Sequence, residues 1–238
     1  MINKRDVNLR MILHVARHLG NLRDKVVFVG GCVTGLFLTD PAMPDVRVTQ
    51  DVDVIVEITS RREYYRLEKE LRGKGFKQDM QEGAPVCRWL IDQIKVDVMP
   101  TQADILGFTN RWYLPAIKNS TPIELEDAMT IQLVAPAYFL ATKIEAFQGR
   151  GGGDYMASHD LEDIITVLDG RPEIVSEISA SSDDLKSFLS ATFRKYLSKD
   201  EFLEAIPGHL PPDRASQARL PHVMKRLEEI AALTIVAQ

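Results

Sequence analysis

Apolar residues recur at helical spacing through NKRDVNLRMILHVARHL, then collapse into one short run, VVFVGG (26–31), that ends on two glycines. The first pattern predicts an amphipathic helix over about residues 5–22, the second a buried strand meeting a tight turn. A short helix over CVTGLFLTD is expected next, then a loop through PAMPDVRVTQ (41–50), which holds two prolines. DVDVIVEI (51–58) alternates strictly and predicts a strand. SRREYYRLEKELRGKG predicts a helix capped by Ser60, closed as a capping box by Glu63, and ended at Gly73 or Gly75. VCRWLID and IKVDVMP predict a hairpin about Asp92-Gln93, and TPIELEDAMTIQLVAP has strand character up to Pro136.

Beyond Pro136 the period changes. AYFLATKIEAFQG, SHDLEDIITVLDG, RPEIVSEISA, SDDLKSFLSATFRKYL, KDEFLEAI and DRASQARLPHVMKRLEEIAALTIVA all favour helix. The expected architecture is α+β: a mixed sheet with flanking helices over 1–135, then a helical bundle over 136–238. GRGGGD (149–154) is the segment that reads as most flexible.

Composition narrows the class little. Hydrophobic residues make up 45% and charged residues 26% of 238, which is ordinary for a soluble globular chain. No apolar run approaches the ~18 residues of a membrane span. The N-terminus has charges scattered through its apolar positions, unlike a secretory signal. Cys32 and Cys87 lie far apart and suit neither a metal motif nor a disulfide framework, so a reducing cytoplasm is expected. A net charge of -5 argues against a broad nucleic-acid-binding face while leaving room for a local basic groove.

The chemistry concentrates in two acidic segments. Side chains alternate along a strand, so Asp51 and Asp53 project from one face while Val52, Val54 and Val56 enter the core on the other. By the same rule Asp97 shares a face with Lys95 and Met99, opposite Ile94, Val96 and Val98. If the two strands are neighbours, three carboxylates converge. Like charges about 4 Å apart repel by about 4 kcal/mol at an effective dielectric of about 20, so the cluster needs cations or protons. Hard oxygen donors with room for water and phosphate favour Mg²⁺ or Mn²⁺, and two such ions can activate a hydroxyl and stabilise departing pyrophosphate. A DVD tripeptide alone is more often a strand with a wet face. Asp97 in a matching strand and the glycine turn upstream reverse that balance.

Gly30 and Gly31 let the backbone approach a phosphate closely, with the following helix aimed at the anion. Thr34 reads either as a hydroxyl offered to phosphate or as a helix cap, and Thr49 either as a ligand contact or as a turn-bonding residue. In the helical half, Leu140, Ile144 and Phe147 form an apolar stripe bordered by Lys143. Lys143 reads as a cleft ammonium or a snorkelling surface lysine. Asp160 and Asp163 share a helix face, in a site or simply near a favourable helix start behind Ser158. His14, His18, His209 and His222 offer no spacing read as a ligand set, and His159 reads as a helix-start residue.

The pattern FVGGCVTGLFLTD … TQDVDVIVE … IKVDVMP resembles the DNA polymerase β-like nucleotidyltransferase superfamily. Within it the chain is most similar to the AbiEii/AbiGii-type nucleotidyltransferases, toxins of abortive-infection and toxin–antitoxin systems. The resemblance runs over roughly residues 24–170, reaching PAYFLATKIEAFQGR and HDLEDIITVLDGR, although the 40–50 loop is longer than in compact members and GRGGGDYMAS widens the usual spacing before Asp160. It implies transfer of a nucleoside monophosphate from an NTP to an acceptor hydroxyl on a tRNA, a protein or a small molecule. Gly30 and Gly31 would hold the triphosphate, and Asp51 and Asp53 both metals. Asp97 would hold the catalytic metal and orient or deprotonate the acceptor. Lys143 would pair with phosphate near Asp160 or Asp163. An antitoxin protein would be the partner. A nucleotide-binding regulatory module without turnover is the alternative, and a phosphohydrolase or nuclease using the same acids ranks last.

Overall fold

A computed structural model describes residues 7–150 and 153–234, apart from the side chain of Asp127. The first residues of the expected N-terminal helix, Gly151 and Gly152 of the glycine-rich segment, and residues 235–238 lie outside the described residues. The chain divides into two compact units: Met1–Gly35 with Arg47–Ala135, and Leu36–Val46 with Pro136–Gln238.

The first unit is a sheet with helices. Its elements in chain order are α1 (Val7–Leu19), β1 (Val26–Val29), β2 (Asp51–Val56), α2 (Arg61–Gly73), β3 (Lys77–Gln78), β4 (Arg88–Ile91), β5 (Ile94–Pro100), α3 (Ala103–Leu106), α4 (Tyr113–Lys118), β6 (Thr121–Glu124) and β7 (Thr130–Leu133). The strand order is β3-β4-β5-β2-β1-β7-β6. β2 runs parallel to β5 and antiparallel to β1, while β1 runs parallel to β7. Between two neighbours, β2 buries Val52, Val54, Ile55 and Val56 and leaves only Asp51 and Asp53 half-buried. The strict alternation expected for 51–58 thus ends at Ile55, because the strand passes from a wet rim into a sheet covered on both faces.

Local signals explain the flanking pieces. The Ser60 hydroxyl accepts from the Glu63 amide at 3.3 Å, so α2 is capped as its sequence dictates. The returning Glu63 carboxylate accepts from the Thr59 amide and hydroxyl, both at 2.8 Å, one residue ahead of the usual box. β4 and β5 form the two-residue hairpin, with Asp92 in the left-handed region at φ 52°. TPIELEDAMTIQLVAP folds as the β6–β7 hairpin around a 3₁₀ turn, Glu126–Ala128.

One local expectation is corrected here. CVTGLFLTD does not form an α-helix: Gly31–Phe37 is a 3₁₀ helix of seven residues. A 3₁₀ run makes i→i+3 hydrogen bonds of poorer geometry than an α-helix. The helix-dipole part of the anion argument is therefore weakened, and the close approach allowed by the glycines carries most of it.

The second unit is helical: α5 (Pro136–Gly149), α6 (His159–Gly170), α7 (Ile174–Ser179), α8 (Asp183–Leu197), α9 (Asp200–Ala205), α10 (Arg214–Gln217) and α11 (Leu220–Ala231). α5 is buried from Ala137 through Ile144, so it is a central helix and not the one-stripe amphipath read from Leu140, Ile144 and Phe147. The 36–46 segment is built into this unit. The amides of Thr39 and Asp40 donate to the Gly170 carbonyl at 3.0 and 3.1 Å, and Phe37 packs on Phe139 with ring centroids 4.8 Å apart. No helix among the described residues is long and apolar enough to cross a membrane.

Candidate functional site

β2 and β5 pair in a register that sets Asp53 beside Asp97 and Asp51 beside Lys95. Registered residues on adjacent strands point to the same face, so the three predicted acids share it. The row continues into β1, where Val29 pairs with Asp53 and Gly30 follows directly. Gly30 adopts φ +74°, and a Cβ built on it would lie 1.8 Å from Asp53 Oδ2. The Asp53 carboxylate therefore rests on bare backbone. A glycine is required there both for the left-handed conformation and for the space.

The sequence reading missed a fourth member of the row. Arg88 on β4 pairs with Asp97 across the hairpin. Its guanidinium grips Asp97 by both oxygens, Nε to Oδ1 at 2.8 Å and a terminal nitrogen to Oδ2 at 2.7 Å. That nitrogen also donates to Asp51 Oδ2 at 3.0 Å. Hydrogen bonding to Asp97 holds the Arg88 pKa well above its ordinary value against the pull of burial. The signal was present in the sequence: a two-residue turn at Asp92-Gln93 dictates that Ile91 faces Ile94 and hence that Arg88 faces Asp97.

The donor set suits a hard divalent cation. All three side chains offer carboxylate oxygens on one face, and each oxygen has two acceptor directions. Asp97 therefore keeps acceptor capacity beyond the two Arg88 bonds. Thr34 is buried, and its hydroxyl has no hydrogen-bond partner among the described residues. Thr49 behaves differently. Its amide donates to Asn8 Oδ1 at 2.9 Å and its hydroxyl to the Asp51 carbonyl at 3.1 Å, which positions the entry to β2.

No protein-family model and no curated protein sequence matches the chain. Solved structures do match. An antigenic nucleotidyltransferase-like protein from Paracoccidioides brasiliensis aligns at TM-score 0.51 with 21% identity, over 84% of this chain and 94% of its own. The fold is nucleotidyltransferase-like. A putative nucleotidyltransferase from H. pylori aligns at TM-score 0.46 with 10% identity, over 97% of this chain and 96% of its own. JHP933 from Helicobacter pylori aligns at TM-score 0.42 with 9% identity, over 97% and 94%.

The remaining predicted residues of this chain gather in the helical unit. Lys143 is buried, which excludes the snorkelling alternative. Its ammonium lies 2.7 Å from Asp163 and 3.2 Å from Asp160, so both acids meet it and no choice between them arises. Arg150 adds a second cation at 2.6 Å from Asp160. These four groups, two positive and two negative, tie α5 to α6. His159 is exposed at the start of α6 and pairs with Glu162 at 2.9 Å.

The structure corrects the reading of the N-terminal histidines. His14 and His18 stand one turn apart on α1, with ring centroids 4.4 Å apart. Asp92 reaches His14 Nε2 at 2.8 Å. The i, i+4 spacing shares a helix face, and the third group comes from 78 residues further along the chain, where no local spacing rule looks.

Proposed function

We propose that this chain is a divalent-metal-dependent nucleotidyltransferase that moves a nucleoside monophosphate from an NTP to an acceptor hydroxyl. The register that sets Asp53 beside Asp97, with Asp51 on the same face and Gly30 beneath Asp53, supports this most directly. Asp51, Asp53 and Asp97 would hold Mg²⁺ or Mn²⁺. When bound, such ions neutralise the triphosphate and ease ionisation of the attacking hydroxyl. Gly30 and Gly31 bring backbone close to the triphosphate, and the unmatched Thr34 hydroxyl supports a ligand near that turn. Asp97 orients the acceptor and takes its proton as the acceptor oxygen bonds to the α-phosphorus and pyrophosphate leaves. Arg88 positions Asp97 through its two-point grip. We assign Lys143, Asp160, Asp163 and Arg150 to fastening α5 on α6, because their charges already balance one another.

Labelled NTPs with Mg²⁺ and cell RNA, lysate protein or aminoglycoside test the reading and name the acceptor. Transfer with pyrophosphate release is expected, and Asp53→Asn should lower it by roughly a hundredfold or more. No transfer by the parent chain, or equal transfer by the variant, would overturn it. The resemblance to AbiEii/AbiGii-type proteins further supports a toxin held by an antitoxin protein. Expression should then arrest growth, and Asp51→Ala should relieve the arrest.

Arg88 supports a second reading. It already compensates Asp97 and Asp51 without any metal ion, as a nucleotide-binding module without turnover would need. Calorimetry separates the two: that module binds NTP yet releases no pyrophosphate with any acceptor.

A further inference from the structure

We propose that His14, His18 and Asp92 form a second metal site, for a borderline divalent ion with Zn²⁺ first among them, which fastens α1 to the β4–β5 turn. One nitrogen from each imidazole and one oxygen of Asp92 lie within 4.8 Å of one another. Small rotamer changes bring such a set to the ~2.0–2.2 Å bond lengths of zinc. His18 is already prepared. Its Nδ1 lies 2.9 Å from the His14 carbonyl, which can only accept, so Nδ1 carries the proton and the lone pair sits on Nε2. A ligating histidine is commonly fixed in this way by a backbone carbonyl behind it. His14 presents Nε2 to Asp92 Oδ2, and a cation takes the place of the proton shared in that contact.

The ligand types choose the ion. Two imidazoles and a carboxylate suit Zn²⁺, Ni²⁺ or Cu²⁺, whereas Mg²⁺ prefers oxygen alone. Exposure at His14 (35%) and Asp92 (68%) leaves an entry path and room for a water as fourth ligand. The site shares no residue with Asp51, Asp53 and Asp97, so it stands whether or not the chain transfers nucleotides. Its ion would fix the turn that sets Arg88 opposite Asp97.

The test is calorimetric titration of the chelator-stripped full chain with Zn²⁺ in excess Mg²⁺, which competes for the all-carboxylate set. One Zn²⁺ per chain is expected. Loss of a second-sphere partner already weakens metal sites by roughly 10–100-fold, so His18→Gln and Asp92→Asn should each weaken binding by at least about tenfold. Asp92→Asn keeps the left-handed turn, since asparagine tolerates that conformation, and so guards against a folding artefact. Asp53→Asn should leave Zn²⁺ binding unchanged. Co²⁺ should give a visible spectrum without a thiolate charge-transfer band, which excludes Cys32 and Cys87. Absence of binding, unchanged affinity in His18→Gln and Asp92→Asn, or a thiolate band would overturn the site.

Discussion

Gly30 and Arg88 constrain the acidic face from opposite ends of one row. A Cβ at position 30 has nowhere to go but into the Asp53 carboxylate. Gly30→Ala should therefore cost about 1–3 kcal/mol for the left-handed backbone alone and displace Asp53 as well. The check is a urea unfolding curve beside an assay of the proposed nucleotidyl transfer, with stability lowered and that transfer lost together. Arg88 is the counter-case, a residue whose removal exposes the acids to one another. Arg88→Met should destabilise the metal-free chain by about 1.5–3 kcal/mol, the range for hydrogen bonds to charged groups. Mg²⁺ should then restore more stability to the variant than it adds to the parent, because the cation takes over the neutralisation. Equal Mg²⁺ responses in melting curves would contradict a cation site among these carboxylates. Strand alternation placed Asp51 and Asp53 on one face of β2 and Asp97 on one face of β5, but that the two strands are neighbours was left as a condition that only the sheet order meets. Arg88 was legible too, but only by counting register across a hairpin, a step that links residues on different strands.

Elements with strong local signals were readable: the capped α2, the β4–β5 hairpin and the helical run after Pro136 all form. What periodicity cannot show is where an irregular segment docks. The 36–46 stretch has no repeating pattern, and its anchors come late in the chain. Arg219 reaches Asp40 at 2.7 Å from 179 residues away. The same guanidinium holds buried Asp169 at 2.8 and 3.0 Å. Arg171 donates to the Phe37 carbonyl at 2.7 Å. A Cβ on Gly170 would lie 2.7 Å from Leu38, so α6 ends on a residue small enough to admit the segment. Residues 36–46, which take in the first part of the 40–50 loop, are thus a structural part of the helical unit, while 47–50 belong to the sheet-bearing unit. Arg219→Met strands the Asp169 carboxylate and should cost roughly 3–5 kcal/mol. Limited proteolysis should show new cleavage within 36–46 in that variant, and Arg219→Lys should fall between the two.

Alkaline titration acts on the whole chain unevenly, because the groups that resist ionisation are distributed unevenly. Burial, then the charge of Asp97, pushes the Cys87 thiol from 9.0 up to about 12. Burial, then Glu68, pushes the Tyr64 phenol from 10.0 up to about 12. Both belong to the sheet-bearing unit. In the helical unit burial raises Tyr196, partly offset by its bond from Gln148. A raised folded pKa means that the folded chain keeps its proton after the unfolded chain has lost it. The stability these groups give is complete below about pH 9, where both states are protonated, and is lost as pH rises toward 12. Each group adds a slope of at most about 1.4 kcal/mol per pH unit in that window. Both tryptophans of the chain, Trp89 and Trp112, lie in the sheet-bearing unit, so their fluorescence reports its unfolding. Far-UV circular dichroism is weighted toward the helical unit. Between pH 8 and 11 the urea midpoint by fluorescence should therefore fall faster than the midpoint by dichroism, and Cys87→Ala should flatten the fluorescence slope whatever its cost at pH 7. Parallel falls by both probes, or an unchanged slope in Cys87→Ala, would mean that the alkaline response does not originate at the buried thiol beside the acidic face.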